Sequence, residues 1–290
     1  MTHIKILNLK KYYGKKLVLD IDSLDLEKGQ SYGFFGANGS GKSTLLKCMT
    51  NLVDYKGEIQ IENKNLKKNP SILKDIGLII ENPVFYNEMT GRKNIEYFCD
   101  DTALLEEYAD IMGIKDILDK KYRSYSLGMR QKLGILLACV KGKKAVILDE
   151  PFNGLDIISV EKAIKLINHC HNKGLTIILT SHQLDISQKA VDNIYLMKNC
   201  RIHKFVLPKN KAGDKILFEF ANKGDADKAE NFLICQKIKY EREDDMLRVF
   251  SQGKYTFYEI IDLLKPFEFI KAEDITFSIK ELYLEMEKSL

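Results

Sequence analysis

Apolar and polar residues alternate near the start of the chain, as they do in half-buried strands. The alternation predicts strands at residues 4–9 and 17–26, joined by a turn at Gly14. These two strands predict an antiparallel β subdomain. Two further strands are predicted at residues 57–62 and 76–80.

The pattern becomes helical over about residues 84–143, where apolar residues recur every three or four positions. The predicted helices of this insertion cover residues 94–99, 103–112 and 127–140. Beyond it, buried strands at residues 145–148 and 176–179 flank a helix at residues 159–172. Buried strands that alternate with helices predict an α/β fold with a parallel sheet covered on both faces.

The polar stretch after Pro208, residues 209–214, predicts a linker. It divides the chain into a first domain over residues 1–207 and an accessory domain over residues 208–290. The predicted strands and helices of the accessory domain cover residues 216–220, 226–233, 246–250, 256–264 and 277–286. They predict a small α+β domain without a chemical motif. We expect it to serve packing or assembly, with binding of a regulatory ligand or partner as the alternative.

Residues 36–44 read G-A-N-G-S-G-K-S-T, between a predicted strand end at residues 32–35 and a helix. The pattern G-x-x-x-x-G-K-[ST] needs glycine because the backbone curls to direct several N–H groups at a polyphosphate. Lys42 offers its charge to the β- and γ-phosphates, and Ser43 offers its hydroxyl to Mg²⁺. The candidate nucleotide-binding residues of this loop are Gly36, Ala37, Asn38, Gly39, Ser40, Gly41, Lys42, Ser43 and Thr44. The loop predicts a P-loop NTPase core, and it leaves a kinase, a GTPase, a helicase and a transport ATPase open.

Two acids and a histidine end the buried strands of the core. Asp149 and Glu150 close one strand and His182 closes the next, and ligands bind at the carboxyl ends of such strands. Asp149 is a candidate Mg²⁺ ligand, directly or through water. Glu150 is a candidate catalytic residue that orients or deprotonates the attacking water. His182 is the second candidate catalytic residue, as a donor to the γ-phosphate, with a purely structural histidine as the alternative.

The start of the helix at residues 127–140 is a second candidate anion site. Ser126 is a natural N-cap, and Gly128 lets a ligand approach the first turn. Such a second helix N-terminus is unusual for a simple kinase or GTPase.

Five motifs follow one another along the chain: GANGSGKST, YSLGM at residues 125–129, AVILDEP at residues 145–151, NGLD at residues 153–156 and SH at residues 181–182. In this order and spacing, about residues 1–205 resemble the ATP-binding cassette (ABC) family of transport ATPases. The resemblance implies binding of ATP and Mg²⁺, hydrolysis of ATP, and two copies that work head to tail. Ser126 and Gly128 would then contact the γ-phosphate held by the partner copy. It also implies that Tyr13 stacks on adenine, with Tyr12 as the alternative.

The chain departs from the family pattern at two positions. Glu81 stands where the family usually has glutamine, and Leu127 replaces the first of two glycines in the signature. The glutamate, the stretch at residues 81–86 and the YSLGM signature are similar to the subgroup that exports, or gives immunity to, antimicrobial peptides of lantibiotic or bacitracin type. Glu81 can accept Mg²⁺ or a water, but it adds charge and lacks the amide donor.

Composition limits the partners that we expect. The chain of 290 residues carries 45 basic and 41 acidic residues, a net charge of +4, so no nucleic-acid partner is expected. No stretch approaches the roughly 18 to 20 apolar residues that span a bilayer, and the alternating start predicts no secretion signal. The 6 cysteines lack metal-ligand spacing and predict a reducing compartment.

The resemblance implies a cytoplasmic ATPase subunit that works as a homodimer. It would lie against the inner face of the cell membrane only through separate transmembrane permease subunits, with residues 83–92 as the expected contact. The alternative is a soluble ABC-type ATPase that acts as a mechanical switch on the ribosome or DNA. A single cassette and near-balanced charge disfavour that alternative.

Overall fold

The computed structural model describes residues 2–81, 83–205, 215–251, 255 and 257–274. The chain divides into two compact units, Met1–Leu207 and Pro208–Leu290. The strands of the first unit are β1 (Thr2–Tyr13), β2 (Lys16–Glu27), β3 (Ser31–Phe35), β4 (Lys56–Ile61), β5 (Lys64–Asn65), β6 (Ile76–Ile79), β7 (Ala145–Asp149), β8 (Thr176–Ser181), β9 (Asn193–Lys198) and β10 (Arg201–Phe205). Its α-helices are α1 (Lys42–Met49), α2 (Gly91–Glu96), α3 (Thr102–Met112), α4 (Lys115–Leu118), α5 (Leu127–Lys141), α6 (Ile157–Asn172) and α7 (Leu184–Ser187). Short 3₁₀-helices lie at Pro70–Asp75, Tyr122–Ser124 and Gln188–Ala190.

An antiparallel sheet has the strand order β2-β1-β4-β5. The β1–β2 hairpin turns at Gly14, whose φ of 60° lies in the left-handed region that glycine adopts without strain. Alternate residues of the hairpin, such as Ile4, Ile6 and Leu19, are buried and share one apolar cluster with Leu45 of α1. The predicted antiparallel subdomain is therefore confirmed, and it packs against the helix that follows the phosphate loop.

The central sheet has the order β10-β9-β3-β8-β7-β6. Its strands β6, β7, β8, β3 and β9 pair in parallel, and β10 returns antiparallel to β9. Strands β3, β7 and β8 are buried along their whole length, as expected for strands covered on both faces. Because these strands run in parallel, their carboxyl ends meet at one edge of the sheet. The predicted α/β class is confirmed.

Helices α2 to α5 form the predicted insertion between β6 and β7. Helix α2 begins at Gly91, three residues before the predicted start, because the Thr90 side chain caps it by accepting a hydrogen bond from the Lys93 backbone N–H. Strands β9 and β10 were not predicted. The apolar run of β9 is too short for the spacing of its apolar residues to distinguish a strand from a helix.

The second unit contains β11 (Lys215–Phe220), α8 (Lys223–Cys235), β12 (Lys239–Glu243), β13 (Met246–Phe250), α9 (Phe257–Leu264) and β14 (Phe269–Asp274). Its antiparallel sheet has the order β12-β13-β11-β14, which is the split βαβ arrangement of ferredoxin-like folds. Ile216, Phe218 and Leu247 belong to its own buried core. The helix predicted at residues 277–286 and the linker at residues 208–214 lie outside the described residues.

No helix within the described part of the chain is long and apolar enough to cross a bilayer.

Candidate functional site

The phosphate loop connects β3 to α1 and depends on its glycines. Gly39 and Gly41 have φ values of 82° and 103°, and Gly41 is the N-cap of α1. A Cβ on Gly36 would lie 2.6 Å from the Met197 carbonyl oxygen. The loop therefore curls into a space that side chains would fill, which is the property that brings its N–H groups close to a phosphate.

A cavity of about 430 Å³ opens at this loop. Its lining residues are Val18, Asn38, Gly39, Gly41, Lys42, Ser43, Thr44, Glu150, Asn153 and His182. The cavity thus brings the loop together with the two candidate catalytic residues, which are distant in the chain. Val18 and Asn153 were not predicted as site residues. Asn153 lies in the NGLD motif, whereas the apolar pattern of β2 carries no signal that marks Val18.

Lys42 is the buried cation of the cavity, with 6 % of its surface exposed. Its Nζ donates to the carbonyl oxygens of Gly36 at 2.8 Å and Ala37 at 3.3 Å. The same atom lies 3.4 Å from Oε1 of Glu150. The ammonium is therefore fixed at the mouth of the loop and faces a carboxylate.

Glu150 lies between this cation and His182. Its Oε2 is 2.9 Å from His182 Nδ1, and it accepts a hydrogen bond of 3.3 Å from the His182 backbone N–H. The backbone of Glu150 has a φ of 46°, in the left-handed region. For a residue other than glycine such a conformation costs roughly 1–3 kcal/mol. Strain of this kind is typical of functional sites, where the surrounding structure holds the residue in place.

Asp149 is buried at the end of β7, with 5 % of its surface exposed. Its Oδ1 accepts a hydrogen bond of 2.5 Å from the Thr180 hydroxyl. The same hydroxyl accepts a hydrogen bond of 3.0 Å from the Glu150 backbone N–H. Thr180 was not predicted as a site residue, yet it fixes both acids through one oxygen.

The residues present fit a nucleotide with Mg²⁺. Mg²⁺ prefers oxygen ligands, which the Ser43 hydroxyl in the cavity lining and the Asp149 carboxylate would supply. The Ser40 hydroxyl is buried and, among the described residues, has no hydrogen-bond partner. A buried hydroxyl of this kind within a phosphate loop can donate to an anion.

Several predicted site residues lie outside the lining of this cavity as the described residues form it: Tyr13 with its alternative Tyr12, Ser126, Gly128, Asp149, and Gly36, Ala37 and Ser40 of the loop itself. Tyr12 and Tyr13 end β1 with 39 % and 48 % of their surface exposed, respectively. Ser126 is the N-cap of α5, where its hydroxyl accepts from the Met129 backbone N–H. Gly128 is in the first turn of the same helix. Ser126 and Gly128 thus do not line the cavity that holds Lys42 within one copy of the chain.

Glu81, the predicted additional Mg²⁺ ligand, also lies outside the cavity lining formed by the described residues. Its carboxylate accepts a hydrogen bond from the Lys47 ammonium on α1. This hydrogen bond raises the pKa of Lys47 above its ordinary value. Lys47 was not predicted, because nothing in the phosphate-loop pattern marks the position.

The family model described as "ABC transporter" matches residues 19–153. An uncharacterized ABC transporter ATP-binding protein, YcbN of Bacillus subtilis, is 35% identical over 70% of this chain and 69% of its own length. The lantibiotic transport ATP-binding protein SrtF of Streptococcus pyogenes is 33% identical over 76% of this chain and 96% of its own. The bacitracin transport ATP-binding protein BcrA of Bacillus licheniformis is 34% identical over 67% of this chain and 66% of its own.

Solved structures give the same family. The structure described as an ATP-binding subunit of an ABC transporter superposes with a TM-score of 0.65 at 27% identity, over 71% of this chain and 90% of that one. The resemblance predicted from the five motifs, with its lantibiotic and bacitracin subgroup, is confirmed. The chain belongs to the ABC transporter family, as a nucleotide-binding ATPase subunit that works with transmembrane permease subunits.

Proposed function

We propose that this subunit powers the export of an antimicrobial peptide or a drug-like molecule through separate permease subunits. The observation that carries the ATPase part is the single cavity that brings Lys42, Glu150 and His182 together. The cargo class is supported by the relatives named for lantibiotic and bacitracin transport, and by Glu81 in place of the usual glutamine.

In this proposal the loop from Gly36 to Thr44 holds the triphosphate of ATP. Lys42 contacts the β- and γ-phosphates, and Ser43 and Asp149 hold Mg²⁺, with Glu81 as a further oxygen ligand directly or through water. When bound, Mg²⁺ neutralises charge on the phosphate oxygens.

Glu150 acts as the general base. Its side chain is 19 % exposed, and its carboxylate lies between the Lys42 ammonium and the His182 ring. A carboxylate held in one orientation can take the proton of an attacking water, since proton transfer needs hydrogen-bond distance before it needs a matched pKa. The side chain of His182 is 40 % exposed, so the ring can donate to a γ-phosphate oxygen while its Nδ1 stays near Glu150.

A second copy of the chain completes each site in this proposal. Ser126 and Gly128 lie at the N-terminus of α5, a helix of 15 residues, and Leu127 between them is 65 % exposed. A helix N-terminus carries a partial positive charge that favours an anion. Exposed in this way, it can approach the γ-phosphate held by another copy. Tyr13, or Tyr12 as the alternative, stacks on the adenine from the copy that holds the phosphates.

The permease contact is proposed for the segment that enters the insertion. Val84 is 89 % exposed and Tyr86 is 49 % exposed. Directly after α2, Tyr97 and Phe98 are also exposed, and the rings of Tyr86, Tyr97 and Phe98 form successive edge-to-face contacts. Exposed aromatic clusters mark interaction surfaces. The subunit would lie on the cytoplasmic face of the membrane through this contact.

Two variants test the ATPase roles. Glu150→Gln should keep ATP binding, accumulate an ATP-bound dimer in gel filtration and lose turnover, because only the base is removed. Lys42→Ala should lose ATP affinity, because the charge that contacts the phosphates is gone. Turnover by Glu150→Gln at the parental rate would exclude Glu150 as the base, and parental ATP affinity of Lys42→Ala would contradict the phosphate-loop role.

The cargo is tested by expressing the subunit with its neighbouring membrane-protein gene in a susceptible bacterium. We expect higher minimal inhibitory concentrations for bacitracin or a lantibiotic, and no protection when the subunit carries Glu150→Gln. Protection by the Glu150→Gln variant, or none by the parent, would contradict the proposed export. Recovery of the subunit with ribosomes, and without a membrane protein, from detergent extracts would favour the ribosome-bound alternative instead.

A further inference from the structure

Glu81 follows β6 at the edge of the sheet where the acids of the site gather. Ile79 of β6 is paired with Leu148 of β7. Glu81 and Glu150 each come two residues later on these neighbouring strands. Paired strands lie about 4.8 Å apart, so the register brings the two acids to the same edge.

A glutamate at this position carries an electrostatic cost that a glutamine would not. Asp149 and Glu150 already give this edge two carboxylates, and the proposed ligand is a polyanion. A further negative charge at this edge repels the two carboxylates and the polyanionic ligand, by an amount that depends on how exposed the charge is. The carboxylate of Glu81 therefore needs a counter-charge that is fixed relative to the phosphate loop.

Lys47 supplies that counter-charge. Its Nζ donates to Oε1 of Glu81, with 25 % of the lysine side chain and 64 % of the glutamate side chain exposed. Lys47 comes five residues after Lys42 on α1, the helix that begins at the phosphate loop. The ammonium is thus attached to the same rigid helix as the loop lysine. The backbone of Glu81, with a φ of 62°, presents the side chain from a conformation that is uncommon outside glycine.

We propose that Lys47 is a positioning residue for Glu81, whose ammonium holds the Glu81 carboxylate beside α1 and neutralises it next to the triphosphate. The inference rests on the proposed function, in which Glu81 lies near the bound nucleotide. Lys47 lies outside the five motifs. In this inference its charge compensates for a glutamate at a position where the family usually has glutamine.

The test is a double-mutant cycle on nucleotide affinity, which separates the pair from each residue alone. ATP binding is measured by titration calorimetry at low salt, with Mg²⁺ and again with EDTA, for the parent, Lys47→Met, Glu81→Gln and the double variant. Because the pair is partly exposed, we expect Lys47→Met to weaken binding about fivefold. When Glu81→Gln is already present, Lys47→Met should weaken ATP binding by less than about twofold.

Two further variants make the comparison specific. Lys47→Arg keeps the charge and should bind ATP within about twofold of the parent. Lys115→Met removes another, more exposed lysine–carboxylate pair, with Asp110 at 2.9 Å in the insertion, and serves as the control. The loss in Lys47→Met should also shrink as salt is raised, since screening weakens an exposed charge effect.

Parental affinity of Lys47→Met, or an equal loss with and without Glu81→Gln, would overturn the inference. Thermal unfolding of each variant checks that affinity, not folding, has changed. If the parent itself does not bind ATP, the proposed function fails as a whole. If the parent binds ATP and the cycle shows no coupling, only the role of Lys47 fails.

Discussion

Replacing Thr180 by valine removes a hydroxyl from the centre of the site while keeping the shape of the side chain. Thr180 is completely buried. Its hydroxyl donates to Asp149 Oδ1 at 2.5 Å and accepts from the Glu150 backbone N–H at 3.0 Å. Valine has a methyl group in the same place, so the change isolates these two hydrogen bonds from packing.

The expected loss of stability follows from what the substitution leaves unpaired. A hydrogen bond to a charged group contributes about 1.5–3 kcal/mol, and a buried N–H without a partner costs about 1–3 kcal/mol. The two losses share one oxygen and do not add fully, so we expect Thr180→Val to lower the free energy of unfolding by about 2–4 kcal/mol. The Asp149 carboxylate also loses its fixed orientation and the Glu150 backbone loses a contact, so we expect kcat for ATP hydrolysis to fall by about ten- to a hundredfold.

Urea unfolding followed by circular dichroism measures the first effect, since the chain contains no tryptophan. Thr180→Ser is the matched control, because it keeps the hydroxyl and loses only a methyl group, which costs about 1 kcal/mol. A steady-state phosphate-release assay measures the second effect. If Thr180→Val is as stable as Thr180→Ser, or hydrolyses ATP at the parental rate, the hydroxyl does not hold the two acids as argued.

Two further predictions concern stability. Burial lowers the pKa of His3 below its ordinary 6.5, although Glu62 opposes the shift. As the pH falls, the unfolded chain therefore binds a proton at His3 before the folded chain does. The protein then loses stability as the pH falls below about 6.5. Between pH 7.5 and pH 5.5 the urea midpoint of His3→Leu should fall less than that of the parent. An equal fall in both proteins would contradict the role of His3. A Cβ on Gly77 would lie 1.7 Å from the Ala138 carbonyl oxygen, so Gly77→Ala should cost about 3 kcal/mol in urea unfolding. Gly224→Ala, whose Cβ would lie 3.3 Å from the Asn222 side-chain oxygen, should cost clearly less because that side chain can shift, and equal effects would refute the steric argument.

Much of the fold could be predicted because its elements have clear periods. The predicted strand at residues 246–250 matches β13, and the predicted helix at residues 103–112 differs from α3 by one residue. Elements without a period were missed. Strand β12 carries charged or polar residues at every position but Tyr240, so no apolar alternation marks it. Its pairing with β13, not its composition, makes it a strand.

The motif-bearing part of the site could be predicted because parallel strands bring their carboxyl ends together. Glu150 and His182 follow adjacent strands, and the cavity unites them with the phosphate loop. Thr180 and Lys47 could not be found in this way. The role of Thr180 depends on the register that pairs it with Asp149 across β7 and β8. A register between strands 31 residues apart in the chain is not readable from either segment.

Each acid at this edge of the sheet has its own polar partner, and these partners hold the acids in place. Asp149 has the Thr180 hydroxyl, Glu150 lies against Lys42, and the Glu81 carboxylate contacts the Lys47 ammonium. Negative charges gathered at one edge of a sheet disfavour one another unless each is neutralised or hydrogen-bonded. For the Lys47–Glu81 pair, removing the lysine therefore acts through the acid that it leaves behind, and Glu81→Gln should cancel the effect. Such cancellation distinguishes a partner that holds an acid in place from a residue that merely packs beside it.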